Sequence, residues 1–309
     1  MERHDIMTNV VGIGANVCDT LLTVPFFPKE DTKLKASATV QSGGGPCATG
    51  LVAAKKLGAS CAYIGNLTDD GPGVFLKCDF EKYGVSTNLT ELKKGYISFA
   101  STILLSEETA SRTCIFDRGN IPPTVLSEIQ KKAIADAEIL MVDGNDLSAA
   151  IEGAKVAREN ATKVLYDAGG LYEGIEELLE LTDILIPSEE FALGHTNCDN
   201  VEDSAKKLFE LYSPEVVVIT QGKNGGIIYD GKEVKKYPAF LVDAVDSNGS
   251  GDVFHGAYAF SLVKGYDYEK SAIFSSAVSA IKCTGVGARE SVPDFNTVRK
   301  FLKENNYEL

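Results

Sequence analysis

The chain has 309 residues, with 44 Asp and Glu against 30 Lys and Arg and a formal charge of −14. That field repels nucleic acid and anionic membrane surfaces, and basic residues occur only as scattered pairs such as Lys55-Lys56 and Lys235-Lys236. A hydrophobic share of 44%, 24% charged residues and no low-complexity tract exclude a disordered arm, and the length suits one α/β unit over residues 1–309 with a small appendage.

The stretch from Met1 to Gly14 is too polar for a secretory signal, and no run reaches the length of a membrane span. Cys18, Cys47, Cys61, Cys78, Cys114, Cys198 and Cys283 form no CxxC pair and no zinc-like cluster, which points to free thiols in a reducing cytoplasm.

Val10 to Ile13, ending at Gly14, reads as a first buried strand. Cys61 to Gly65, Ile139 to Val142, Val164 to Tyr166, Ile184 to Ile186 and Val216 to Ile219 read as others. Thr49 to Leu57, Leu147 to Glu159, Gly174 to Leu181 and Val201 to Leu211 follow a helical period and space these strands as βαβ crossovers require. The expected body is therefore a mainly parallel sheet covered by helices on both faces, an α/β/α sandwich. Two segments, about 15–41 and 96–118, break the rhythm. In the second, Ser98 to Leu105 and Arg112 to Phe116 alternate like strands around the turn-prone Ser106-Glu-Glu-Thr. They predict a small antiparallel β lid beside the crevice at the carboxyl ends of the parallel strands.

The stretch richest in chemistry is Val245-Asp246-Ser247-Asn248-Gly249-Ser250-Gly251-Asp252-Val253-Phe254-His255-Gly256-Ala257. Gly249-Ser250-Gly251-Asp252 opens an apolar helix, Val253 to Leu262. Its free N–H groups and the positive end of the helix dipole suit a phosphate. Asp252 in the first turn is placed to take a proton from a hydroxyl held against that phosphate. On those four residues alone an ordinary helix N-cap accounts for the pattern equally well. His255 falls one turn from Asp252 and reads either as a proton relay or as a packed core histidine.

The longer pattern Asp-x-x-Gly-x-Gly-Asp before a helix resembles the C-terminal signature of the ribokinase, or phosphofructokinase-B, family of carbohydrate kinases, and the resemblance runs the length of the chain. Gly12-Ile-Gly-Ala-Asn-Val-Cys-Asp19 is similar to the family's first strand and substrate-binding aspartate. Ser42-Gly-Gly-Gly-Pro-Cys-Ala-Thr49 is similar to its di-glycine motif, with Thr49 where members commonly carry asparagine. Thr220-Gln-Gly222-Lys-Asn-Gly225-Gly226 resembles the loop beside the nucleotide. Asp183-Ile-Leu-Ile-Pro-Ser188-Glu189-Glu190-Phe191 falls where members show Asn-x-x-Glu.

The resemblance implies a ribokinase-like fold and transfer of the γ-phosphate of ATP to a small-molecule sugar. Asp252 would be the base and Gly249, Ser250 and Gly251 the anion hole. It further implies that Asp19, Gly44, Gly45, Thr49, Arg112 and Asp143 hold the sugar, and that Ser188, Thr220, Gly222, Gly225 and Ser276 border ATP. Glu189 and Glu190 would meet Mg²⁺ through water, and Asp246, Asn248 and Ser291 would bind a monovalent cation such as K⁺. The segments Ser111-Arg-Thr, Tyr166-Asp-Ala-Gly-Gly and Lys282-Cys-Thr-Gly are closest to the ketohexokinase and sulfofructose-kinase branch, which implies a ketose or a ketose derivative such as fructose.

A nucleoside kinase or a 2-keto-3-deoxy sugar-acid kinase on the same scaffold, and a non-catalytic sugar sensor, stand as alternatives. A dinucleotide-binding dehydrogenase is disfavoured because Gly12-x-Gly14 lacks the third glycine of that fingerprint. Apolar lid strands predict a homodimer that covers them.

Overall fold

The structure, a computed structural model, describes residues 8–109, 111–170 and 173–308, so the N-terminal part of the segment weighed as a targeting signal lies outside it. Its strands are β1 (Val10–Ile13), β2 (Val17–Val24), β3 (Ala38–Gly44), β4 (Cys61–Thr68), β5 (Ser86–Lys93), β6 (Ala100–Ser106), β7 (Arg112–Asp117), β8 (Ile139–Val142), β9 (Lys163–Ala168), β10 (Ile184–Pro187), β11 (Val216–Thr220), β12 (Gly226–Tyr229) and β13 (Val234–Tyr237). The helices are α1 (Pro46–Leu57), α2 (Gly71–Tyr83), α3 (Glu128–Ala135), α4 (Leu147–Glu159), α5 (Glu176–Glu180), α6 (Glu189–Thr196), α7 (Val201–Tyr212), α8 (Ser250–Val263), α9 (Tyr268–Cys283) and α10 (Phe295–Glu304).

The large sheet has the order β13-β12-β11-β10-β9-β8-β1-β4-β5 and is parallel from β11 through β5. Its central strands, VVGI in β1, ILMV in β8 and ILIP in β10, are buried at every position because helices cover both faces. The period of two divides β1 between two cores. Val10 joins α1, α8 and α9 on one face, whereas Val11 and Ile13 join α4, α5 and α7 on the other. The ribokinase-like α/β/α expectation holds, and β12 and β13 add an antiparallel margin. Among the described residues no helix is long and apolar enough to cross a membrane.

The lid is a second sheet of order β3-β2-β6-β7. It is antiparallel at β3–β2 and at β6–β7, with β2 and β6 paired in parallel at its centre. The first lid segment runs farther than expected, since β3 continues through Gly44. One register places Asp19 opposite Ser42 on one side and Ser101 on the other.

β1 lies between β4 and β8, so the chain leaves it in one direction and later returns on its other flank. That reversal opens a crevice at the carboxyl ends of β1 and β8. The lid, α1 and α8 converge there.

Candidate active site

Asp143, the residue after β8, is 2% exposed, and its carboxylate organises the floor of the crevice. One oxygen accepts the N–H of Ala15 at 2.8 Å and of Cys47 at 3.0 Å, and the other accepts that of Asn145 at 2.9 Å. It thereby fixes the turn from β1 into β2 and the start of α1. Burial raises its pKa, and these three N–H groups oppose the rise. Expected as a sugar ligand, Asp143 instead spends its oxygens on backbone N–H groups of Ala15, Cys47 and Asn145.

β2 then presents Asp19, whose Oδ1 accepts the Ser101 hydroxyl at 2.6 Å. Burial raises the Asp19 pKa and the Ser101 bond lowers it. Gly44 must be glycine here, since a Cβ would lie 1.9 Å from Asp19 Oδ2. Gly45 caps α1 at φ 91° and lets Pro46 start the helix. Gly44→Ala should push Asp19 aside and raise the KM for sugar about 10- to 100-fold with little change in the KM for nucleotide. An unchanged sugar KM would show that Asp19 does not grip the substrate.

On the opposite wall Gly249, with φ 72°, turns the chain into α8. Among the described residues the N–H groups of Gly249 and Gly251 have no protein acceptor, whereas the N–H of Ser250 donates to Ser247 O at 3.2 Å. Of the three residues expected to form an anion hole, the two glycines keep their N–H groups free at the positive end of the α8 dipole. Ser250 contributes its place in the turn.

Asp252 touches the cavity on one side and protein on the others. Burial, and then the charge of Asp167, raise its pKa to about 7. A base acts only when ionised, so kcat/KM should climb as pH rises through the neutral range and level off above it. A pH–rate profile flat across that range would exclude Asp252 as the titrating base. His255 is a packed residue: Nδ1 lies 2.7 Å from Gly251 O and Nε2 lies 3.0 Å from Ile186 O, with Asp167 Oδ2 3.1 Å from Nδ1. It anchors the first turn of α8 to β10.

Two cavities meet at this turn. One, of about 190 Å³, is lined by Asp19, Gly44, Gly45, Asn248, Gly249 and Asp252, all expected, and by lid residues that were not, including Phe99, Ser101, Cys114 and Phe116. The other, of about 350 Å³, is lined by Thr220, Gly222, Gly225, Ser250, Gly251 and Ser276, all expected, and by an apolar wall including Phe240, Val242 and Ala280. Ser101, Cys114 and Phe116 reach the cavity by alternation on β6 and β7, and Phe99 immediately precedes β6; no local signal in the sequence reveals the register of β6 against β2 or of β7 against β6.

The remaining expected ligands lie elsewhere. Thr49 is fully buried, and its hydroxyl accepts Arg289 Nε at 3.4 Å, so it braces the cavity from behind. Ser188 caps α6 through the Phe191 N–H at 3.1 Å. Glu189 accepts Gln221 Nε2 at 2.8 Å, and Glu190 is exposed. Arg112 is exposed on the cavity face of β7, with Nη1 3.4 Å from Asn248 Oδ1.

The residues expected to hold a monovalent cation, Asp246, Asn248 and Ser291, are engaged with protein partners as arranged. Asp246 Oδ1 accepts the Asn248 N–H at 2.8 Å, its Oδ2 accepts the Gly287 N–H at 2.9 Å, and its carbonyl accepts Lys282 Nζ at 2.8 Å. The Ser291 hydroxyl donates to Gly287 O at 2.6 Å. For Mg²⁺, Glu189 at the N-terminus of α6 sits beside the loop that carries Gln221, and it suits a contact through water better than direct ligation.

Comparison with known proteins places this geometry. The chain is similar to the ribokinase of Haemophilus influenzae, 25% identical over 297 residues covering 94% of this chain and 97% of that one. It is also similar to the 5-dehydro-2-deoxygluconokinase of Clostridium perfringens, 26% identical over 292 residues and covering 86% and 85%. Among solved structures it superposes on Thermotoga maritima ribokinase with a TM-score of 0.83, at 26% identity, covering 96% and 99%. It superposes on Arabidopsis thaliana ribokinase complexed with ribose and ATP with a TM-score of 0.87, at 22% identity, covering 96% and 99%. Residues 7–294 match the pfkB family carbohydrate kinase model, so the chain belongs to the pfkB family of carbohydrate kinases.

Proposed function

We propose that the chain transfers the γ-phosphate of Mg²⁺-ATP to a hydroxyl of a small ketose or ketose derivative. The observation that carries this reading is the meeting of two cavities at one helix N-terminus, with Gly249 and Asp252 on one side and Ser250 and Gly251 on the other. A sugar hydroxyl held by Asp19 in the first cavity is thereby brought to the γ-phosphate of a nucleotide whose base lies against Phe240, Val242 and Ala280. Asp252 takes the hydroxyl proton as that oxygen attacks phosphorus and the bond to the ADP oxygen breaks. The N–H groups of Gly249 and Gly251 and the dipole of α8 stabilise the charge on the transferred group. Mg²⁺, when bound with the nucleotide, neutralises phosphate charge. The lid strands shield the site from water, which would otherwise compete for the phosphoryl group.

The lining of the sugar cavity favours a small sugar over a nucleoside, because Phe99 and Phe116, 6.0 Å apart, close its lid side. A ketose carrying an anionic group is the second reading. Arg112 shares the inward face of β7 with Cys114 and Phe116 and approaches Asn248 at the rim. A panel of ketoses, aldoses, 2-keto-3-deoxy acids, sulfofructose and nucleosides, scored by ADP release, tests both. The expected result is the highest kcat/KM for a ketose, neutral or anionic. If the preferred sugar is anionic, Arg112→Ala should lower its kcat/KM about 10-fold or more while leaving neutral ketoses nearly unaffected. Preference for a nucleoside would overturn the assignment.

Val40 and Ile115 are exposed on opposite faces of the lid sheet, and a homodimer that packs against the lid accords with them. The seven free thiols accord with a reducing cytoplasm.

A further inference from the structure

Lys282, in the last turn of α9, is wholly enclosed beside the anion-binding loop. An enclosed ammonium is unfavourable unless it meets an acceptor and an opposite charge, and here Asp246 supplies both. Nζ donates to Asp246 O at 2.8 Å and lies 3.9 Å from Asp246 Oδ2. The same loop is tied to the end of α9 by the N–H groups of Val245 and Asp246, which donate to Cys283 O at 2.7 and 3.1 Å. Five residues farther on, Gly251 offers its free N–H to the phosphate. Lys282 therefore sets the base of the turn whose tip forms the anion hole.

The oxygens expected to hold a monovalent cation are instead engaged with protein partners. Both carboxylate oxygens and the carbonyl of Asp246 accept protein donors, the Ser291 hydroxyl is turned onto Gly287 O, and Asn248 Oδ1 receives Arg112. We propose that the Lys282 ammonium is a built-in cation that holds the Asp246–Gly251 loop in its anion-binding form, so that the enzyme needs no monovalent metal ion. Lys282 is a positioning residue in this account, acting on phosphate only through the loop. Burial lowers its pKa, and the facing Asp246 opposes that change. The inference extends the kinase reading to how that reading's anion hole is held.

The test compares KCl with tetramethylammonium chloride at equal ionic strength, using both turnover of the preferred sugar and thermal unfolding without substrates. Wild-type protein should show the same kcat and the same Tm in the two salts. Lys282→Met should lose about 10-fold or more in kcat in tetramethylammonium, recover much of it in K⁺ or methylammonium, and melt higher in K⁺. Activation of the wild type by K⁺, or a rise in its Tm specific to K⁺, overturns the proposal. A folded Lys282→Met that is indifferent to the salt also overturns it, whether active or inactive. The wild-type melting comparison requires neither the variant nor a known sugar, so failure here is distinguishable from failure of the kinase assignment.

Discussion

Asp252→Asn should turn over sugar about 10²–10⁴-fold more slowly than wild type while binding nucleotide as before. Asparagine keeps the size of the side chain and its place in the first turn of α8, but its amide cannot take the hydroxyl proton. The N–H groups of Gly249 and Gly251 are backbone and stay where they are, so the phosphate site survives. Stability should move the other way at alkaline pH. The pKa of Asp252 is raised from 3.8 to about 7 in the folded chain, so the folded state holds this proton more tightly than the unfolded one. Its contribution is then fully favourable at low pH, is lost as pH rises through the folded pKa, and leaves a carboxylate facing the buried Asp167. Above that pH the asparagine variant should melt at least as high as wild type. Near-wild-type turnover would remove Asp252 from the mechanism, and a lower Tm at alkaline pH would remove the electrostatic account.

The parallel body was legible because its strands are short continuous apolar runs. Ile139 to Val142 and Leu147 to Glu159 appear in the structure with the bounds their patterns predict. The turn into α8 was legible for a different reason, since Gly249 to Asp252 stand inside the longer Asp-x-x-Gly-x-Gly-Asp pattern before an apolar run. β5 was not, because it is an edge strand with an irregular register against β4 and little of it is buried. The sugar cavity was half legible. Asp19 and Gly44 stand in motifs, whereas Ser101, Cys114 and Phe116 reach it through pairing with strands distant in sequence. A residue such as Asp143 shows how a motif position identifies importance without role: its place after β8 was correct, but only the fold reveals that backbone N–H groups occupy it.

Arg289 went unnoticed for the same reason, and its removal should have the largest effect on stability. It follows α9 in sequence, is 0% exposed, and ties together four segments behind the sugar cavity. Nη1 pairs with Asp79 of α2; Nη2 donates to Gly44 O at 2.6 Å and to Asn16 Oδ1 at 3.1 Å. Nε reaches Thr49 in α1, and the guanidinium lies 5.4 Å from the centre of the Phe80 ring. The glycine at 43 makes room for it, since a Cβ there would lie 2.1 Å from Nη1. Arg289→Met leaves Asp79, 5% exposed, without its charge partner, and such a loss destabilises by about 3–5 kcal/mol. Asp79→Asn combined with Arg289→Met should recover a large part of that in urea unfolding, because the double variant buries no net charge. Sugar binding should not recover with stability. The carbonyl of Gly44 and the side chain of Asn16 would still lack their donor, and Gly44 is the residue against which Asp19 packs. A double variant with restored stability and a raised sugar KM would therefore separate the two duties of this arginine. Recovery of both together would mean that the brace supports the fold alone.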